Sequence, residues 1–294
     1  MTMPNFFVVG AQKCGTTSLY YYLDQHPEVY MSPVKEPHFF DYDEGEMPDF
    51  GGPSVPPPGI TSMGEYQALF EGVRDEVAVG EASPTYLYLP GTEERLRRHA
   101  PGAKAIAVLR DPAERAYSAF LHTVRSGREP LDDFSRALRE EDGRIRDGWH
   151  PLFHYRSRGF YHGQIERYLW AFGEDRVRVY LYEDLRDKPL RVLQDAFRFL
   201  GADASFVPNT STRYNASGIP RNKTVSAMMR RANVLTPALK KILPPAVRQR
   251  IKGRIFAKAP PLRQDDRREL VEGYREDILK LQDLLGRDLS RWLG

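Results

Sequence analysis

Phe6-Phe7-Val8-Val9-Gly10-Ala11-Gln12-Lys13-Cys14-Gly15-Thr16-Thr17-Ser18 is an apolar run ending in glycine, then a turn with one lysine, then a hydroxyl-rich opening. Phe6 to Gly10 reads as a buried strand. Ser18 to Gln25 reads as a helix, stopped at His26-Pro27 because proline disfavours helix in the residue before it. A strand, turn and helix in this order outline an anion site. Amides at the helix start point outward, and the helix dipole favours negative charge there. Gly15 lets the backbone approach a ligand closely, while Thr16, Thr17 and Ser18 add donors.

Further apolar runs lie outward from this unit. Val77-Ala78-Val79-Gly80, Ala105-Ile106-Ala107-Val108-Leu109 and Val177-Arg178-Val179-Tyr180-Leu181 read as strands. Helical patterns separate them, from Gly91 to His99 and from Pro112 to Arg125. Asp111 suits an N-cap, Pro112 the first helical position, and Glu114 falls three residues after the cap. Arg191 to Leu200 reads as a helix that Gly201 ends. Strands alternating with helices predict an α/β fold, with a central, mostly parallel sheet flanked by helices. The Pro- and Gly-rich stretch 47–62 predicts a surface loop beside the substrate.

The chain reads as a single domain over 1–294, with a core at 1–203, a basic and mostly helical segment at 204–264, and a C-terminal helix at 265–294. From Ala204 to Gln264 there is no Asp or Glu, whereas the net charge of the whole chain is only +3. A field of one sign on that scale points to an anionic partner or to a solvated helix face. Val234, Leu235, Leu239, Ile242 and Leu243 interleave with the cations, a pattern that suits peripheral contact of 221–263 with an anionic membrane. It suits a pair of helices covering a substrate equally well. No groove-reading motif for nucleic acid is present. The single cysteine, Cys14, fits a reducing compartment, and the sequence shows neither a leader pattern nor a run of about 18 apolar residues, so a cytoplasmic location is expected.

The nucleoside-triphosphate loop G-x-x-x-x-G-K-[ST] is matched by Gly10 and Gly15, but Thr16 stands where its lysine belongs, and the lysine has moved to position 13. A P-loop kinase, dependent on ATP and Mg²⁺, is therefore an alternative reading that the displaced lysine disfavours. The displaced form resembles the 5′-phosphosulfate loop of the sulfotransferases that use 3′-phosphoadenosine-5′-phosphosulfate (PAPS). Lys35-Glu36-Pro37-His38-Phe39-Phe40 resembles the K-E-x-H-F-F segment of carbohydrate and bacterial members. Gly80-Glu81-Ala82-Ser83-Pro84-Thr85-Tyr86 resembles the E-K-[ST]-P-x-Y segment of the heparan sulfotransferases. Leu109 to Ser118 resembles the strand and helix that hold the 3′-phosphate, and a weaker match runs through Gly159-Phe160-Tyr161 and Tyr182-Glu183-Asp184-Leu185. The resemblance implies a P-loop-like three-layer fold and PAPS as co-substrate, with adenosine 3′,5′-bisphosphate as second product.

It also implies the roles of individual residues. Lys13, with Cys14, Gly15, Thr16, Thr17 and Ser18, binds the 5′ end of the donor, and Lys13 meets charge on the leaving oxygen. Arg110 and Ser118 bind the 3′-phosphate by a guanidinium fork and a hydroxyl. Tyr161 and the late loop carrying Arg221, Asn222 and Lys223 join the cofactor side. Glu36 is the candidate general base and His38 its rival, since either a carboxylate or an imidazole can take the acceptor's proton. Glu36, His38 and Glu81 are also the acceptor-side candidates, and Glu81 alternatively orients Lys13. Ala82 departs from the pattern, because the heparan enzymes carry a catalytic lysine there. In-line displacement on a hydroxyl or amine of a sugar, lipid or small molecule is expected, without metal, since the seven histidines are scattered and no Cys/His cluster exists. A non-catalytic module that docks its basic segment on anionic surfaces is the other alternative.

Overall fold

The computed structural model describes residues 2–46, 48–56, 59–212, 219–220, 256–257 and 259–294. Strand β1 (Phe6–Gly10) feeds helix α1 (Thr16–Leu23), and β2 (Val29–Met31) follows. Then come α2 (Met63–Ala68), β3 (Ala78–Ala82), α3 (Thr92–His99), β4 (Lys104–Leu109), α4 (Pro112–Arg125) and α5 (Phe134–Arg146). Helix α6 (His162–Phe172), β5 (Val177–Leu181), α7 (Tyr182–Asp187) and α8 (Pro189–Leu200) complete the core. A two-residue antiparallel ladder joins β6 (Ile219–Pro220) to β7 (Phe256–Ala257), and α9 (Gln264–Leu285) closes the chain.

The five core strands form one parallel sheet in the order β2-β3-β1-β4-β5. Successive side chains of a strand point to opposite faces. Every residue of β1 and β3 is buried, so both faces of the sheet centre are covered. The order places β1 and β4 side by side although β2 and β3 intervene in the chain. Ligands of open parallel sheets bind at the carboxyl ends of strands where the order reverses. The turn after β1 and the residue after β4 therefore share one crevice.

Local chemistry sets the elements that line it. Asp111 accepts from the amides of Ala113 and Glu114 at 2.9 and 3.1 Å, with Pro112 at the first helical position, so α4 starts where expected. Glu114 does not reach back to close a capping box. Its carboxylate instead lies 3.2 Å from Arg110. Helix α1 begins two residues earlier than the sequence suggests, because Gly15 takes the N-cap in the left-handed region at φ 92°. The short β2 carries no sequence signature and exists through its pairing with β3.

The Pro- and Gly-rich stretch is pinned by a bridge between Gly51 and Trp149. Side chains other than hydrogen are excluded at Gly52, where a Cβ would lie 2.4 Å from the Trp149 ring. The final helix ends at Leu285 with Gly286 in the left-handed region, and a short 3₁₀ turn at Ser290–Trp292 follows. Among the described residues no helix is long and apolar enough to cross a membrane. Arg221, Asn222, Lys223 and most of the basic segment lie outside the described residues.

Candidate active site

A cavity of about 280 Å³ opens at the ends of β1 and β4. Gln12, Lys13, Gly15, Thr16, Thr17 and Ser18 form one wall, and Arg110, Ser118 and His122 form another. Glu36 and Pro84 close the side toward β3, while Tyr182, Arg186 and Thr210 form the rim. The structure thus brings together Lys13, Gly15, Thr16, Thr17, Ser18, Glu36, Arg110 and Ser118 from three separate stretches of chain. Thr210 is held there by a strap over α1. The Tyr22 hydroxyl donates to the carbonyl of Thr212 at 3.0 Å, and Asn209 and Gln25 exchange hydrogen bonds.

No side-chain hydrogen bond caps α1 at Gly15, and its opening turn, Thr16 to Ser18, lines the cavity. Gly15 is required twice: its φ is positive, and a Cβ would meet the Tyr182 ring at 2.9 Å. Among the described residues, Lys13, Glu36 and His38 are the non-glycine residues with positive φ, at 71°, 60° and 59°. Lys13 and Glu36 line the cavity and His38 lies behind its wall, and backbone held in that region stores strain that the surroundings must overcome.

The electrostatics are cationic. Burial pulls the Lys13 ammonium down to about 8, with Arg125 and Arg110 adding repulsion and Glu36 opposing them. Arg110 stacks its guanidinium 5.0 Å from the Tyr182 ring centre. A bound anion relieves this concentration of positive charge, so the wall is suited to phosphate or sulfate.

Glu36 is held by the loop 35–41. Its amide donates to the carbonyl of Ala82 at 3.1 Å. Its carboxylate contacts the Lys35 ammonium on one oxygen and lies 3.7 Å from His38 Nε2 on the other. Burial alone would raise its pKa, but the His38 imidazolium and the Lys35 ammonium outweigh burial and bring it down to about 2. The carboxylate still keeps 41% of its side-chain surface open. Burial by itself would lower His38; its bonds to Asp41 and Glu36 instead carry it up to about 10.

Other candidates sit behind the cavity wall. His38 does not line the main cavity but borders a small acidic recess with Tyr42, Asp43 and Glu44. Glu81 is fully buried and accepts from the hydroxyl of Ser83 at 2.9 Å, and burial raises its carboxyl to about 7. Ser83 in turn accepts from the His38 amide at 3.2 Å, so Glu81 supports the loop that carries Glu36. Cys14 is buried with its sulfur 3.7 Å from the Tyr161 hydroxyl, and burial pushes its thiol up to about 11. Tyr161 is buried as well, and its hydroxyl donates to the carbonyl of Arg110 at 3.1 Å.

Arg186 and His122 are among the cavity residues that escaped the sequence reading. Arg186 belongs to α7 and shares its rim with a second space of about 200 Å³, bounded also by Arg110, Tyr182 and Trp292. His122 lies one turn beyond Ser118 on the same face of α4, and that i, i+4 spacing was its only signal. Burial, then Lys13 and Arg125, drive its imidazole down to about 3, so it is neutral. Its Nδ1 is buried without a hydrogen-bond partner. Among the described residues no group of three or more His, Cys, Asp or Glu side chains is placed to hold a metal ion.

These features agree with what the chain is similar to. A family model for the sulfotransferase domain matches residues 3–228. A membrane-associated sulfotransferase, kil1, of Dictyostelium discoideum is 32% identical over 146 residues, covering 48% of this chain and 28% of that protein. The bifunctional heparan sulfate N-deacetylase/N-sulfotransferase 4 of Mus musculus is 28% identical over 302 residues, covering 99% of this chain and 31% of that protein. The chain therefore spans less than a third of the length of these curated relatives. A crystal structure of a sulfotransferase from Alicyclobacillus acidocaldarius is 37% identical, covers 100% of both chains and superposes with a TM-score of 0.77. With the family model covering most of the sequence and a solved relative matching it from end to end, the chain belongs to the sulfotransferase family.

Proposed function

We propose that this protein transfers the sulfuryl group of PAPS to a hydroxyl or amine of an acceptor and releases adenosine 3′,5′-bisphosphate. The observation that carries the reading is the meeting of Lys13, Glu36, Arg110 and Ser118 around one cavity. Bound PAPS would supply an activated sulfuryl group on a phosphate leaving group. The opening turn of α1, with Thr16, Thr17 and Ser18, suits the 5′ end of such a donor. Arg110 and Ser118 suit its 3′-phosphate, through charge-assisted hydrogen bonds. Lys13 holds positive charge where negative charge grows, and the buried setting strengthens its effect.

Glu36 takes the acceptor's proton on its carboxylate. Lys35 and His38 keep that carboxylate ionised and ready, and they also make it a weak base. Its proton transfer therefore accompanies bond making at the acceptor oxygen or nitrogen and does not precede it. His38, already protonated between Asp41 and Glu36, orients the carboxylate and takes no proton itself. Lys35, paired with Glu36 whose amide bonds to the Ala82 carbonyl, is a cation near the place where Ala82 leaves none.

A carbohydrate is the first acceptor class to screen, because the long relatives are named for heparan sulfate. Peripheral contact of residues 221–263 with an anionic membrane and a cytoplasmic location are proposed from the sequence alone; flotation with anionic vesicles tests the first. The activity is tested by incubating the protein with PAPS and a panel of sugar, lipid and phenolic acceptors, and measuring adenosine 3′,5′-bisphosphate released. Acceptor-dependent release supports the reading. Nucleotide turnover only with ATP and Mg²⁺ would replace it with the kinase reading.

A further inference from the structure

Helix α9 lies wholly outside the residues that the family model matches. None of its side chains lines the 280 Å³ cavity. It packs on the core through Leu270, Val271, Tyr274, Ile278 and Leu281. Two of its polar side chains do something more specific: one ends on Asp111, and the other acts through Tyr161 on the neighbouring Arg110.

The first is Arg267. Its Nη1 lies 2.9 Å from Asp111 Oδ2, and both side chains are largely buried. The other oxygen of Asp111 accepts the two amides that start α4. Asp111 is thus fixed on one side by its own helix and on the other by α9.

The second is Asp277. Its Oδ2 accepts the Tyr161 amide at 2.8 Å and the His162 amide at 3.3 Å, at the start of α6. The buried Trp292 packs on the Tyr161 ring at 6.2 Å between centres. The hydroxyl of Tyr161, held in this way, donates to the carbonyl of Arg110. The backbone at Arg110 and Asp111 is therefore gripped twice from α9, at the point from which the Arg110 side chain enters the cavity.

We propose that Arg267 and Asp277 are positioning residues for donor binding: through Asp111 and Tyr161 they set the backbone from which Arg110 meets the 3′-phosphate. The inference rests on the donor reading above. Packing alone would not need either contact, because the apolar face of α9 already attaches the helix. A guanidinium misplaced by about 1 Å loses the geometry that makes a phosphate contact strong.

The test compares two nucleotides on the full chain. Adenosine 3′,5′-bisphosphate carries the 3′-phosphate and adenosine 5′-monophosphate lacks it. Wild type binds the first more tightly. Arg267→Met and Tyr161→Phe weaken the bisphosphate by about tenfold and leave the monophosphate within about twofold. Arg267→Lys restores most of the loss. Tyr161→Phe removes one hydroxyl and keeps the ring, so it serves even where Arg267→Met does not fold. Unchanged bisphosphate affinity, or an equal loss for both nucleotides, would overturn the inference while leaving the donor reading intact. A wild-type protein that binds neither nucleotide would overturn both.

Discussion

Nδ1 of His38 lies 2.9 Å from the Asp41 carboxylate, while its Nε2 faces Glu36 at 3.7 Å. The Thr85 hydroxyl lies 2.9 Å from the same Nδ1 and donates to the other Asp41 oxygen at 2.6 Å, so toward the ring it accepts, and the Nδ1 proton belongs to the imidazole. An imidazole between two carboxylates is held as the cation. A charged His38 has no lone pair to offer, which supports Glu36 over His38 as the proposed base.

The charge states of the histidines are directly measurable. At pH 7, NMR of the ring nitrogens and carbons should find His38 doubly protonated and His122 neutral. His38 should not titrate near the usual 6.5, because its pKa is raised to about 10, and His122 stays neutral until about pH 3. A His38 that loses its proton between pH 6 and 7 would return it to the role of base.

Glu36→Gln keeps the shape of the side chain and removes the proton acceptor. Turnover should fall by about 10²-fold or more, the usual yield of general base catalysis. Affinity for adenosine 3′,5′-bisphosphate should change by less than about threefold, because the role proposed for Glu36 is on the acceptor side. Single-turnover transfer together with a binding titration separates the two effects. Full turnover in the variant would remove Glu36 from the chemistry.

Lys13 supplies a pH dependence of known sign. Its pKa in the free protein is lowered to about 8, so it carries charge below that value and loses it above. Binding of the bisphosphate should weaken as pH rises from about 7 to 9. Its protection against thermal unfolding should shrink over the same range. Lys13→Arg stays charged throughout and should flatten the profile. The folding term has the opposite sign. In the absence of ligand the unfolded chain binds more protons between about pH 8 and 10.5, so Lys13 makes the protein more stable as pH rises through that window.

Beyond the cavity, Glu129 and Arg144 form a bidentate pair at 2.9 Å for both bonds, with 0% and 3% of their side chains exposed. The Tyr155 hydroxyl also donates to Glu129. Removing one partner leaves a charge buried without a counterion. Arg144→Met should destabilise the protein by about 3–5 kcal/mol, read as a lower urea midpoint. A loss below about 1 kcal/mol would mean that water reaches the pair.

The parts of the molecule legible in the sequence are those set by short-range chemistry. Helix α4 runs from Pro112 to Arg125 as expected because its cap and its proline act within one turn. The loop around Lys13 was readable because strand, turn and helix each carry a local mark. Strand β2 was not, since three residues without alternation become a strand only against β3. His122 was missed for a related reason: its neutral state depends first on burial and then on Lys13, both of which come from the fold. Cys14 and Tyr161 lie next to residues that reach the cavity, yet they point into the core. A motif places the backbone of a loop and leaves open which side chains turn inward. The grips of Arg267 and Asp277 span more than a hundred residues and have no local signature at all.

The central claim is that this cavity binds a 3′-phosphorylated adenosine donor through Lys13 and Arg110. Calorimetric titration with adenosine 3′,5′-bisphosphate, beside ATP with Mg²⁺, tests it most directly in wild type and in Arg110→Ala. The account predicts binding at about micromolar Kd or tighter for wild type, and a loss of about tenfold or more in the variant, as expected for a charge-assisted contact of about 1.5–3 kcal/mol. Binding of ATP with Mg²⁺ without binding of the bisphosphate, or equal bisphosphate affinity in both proteins, would contradict it.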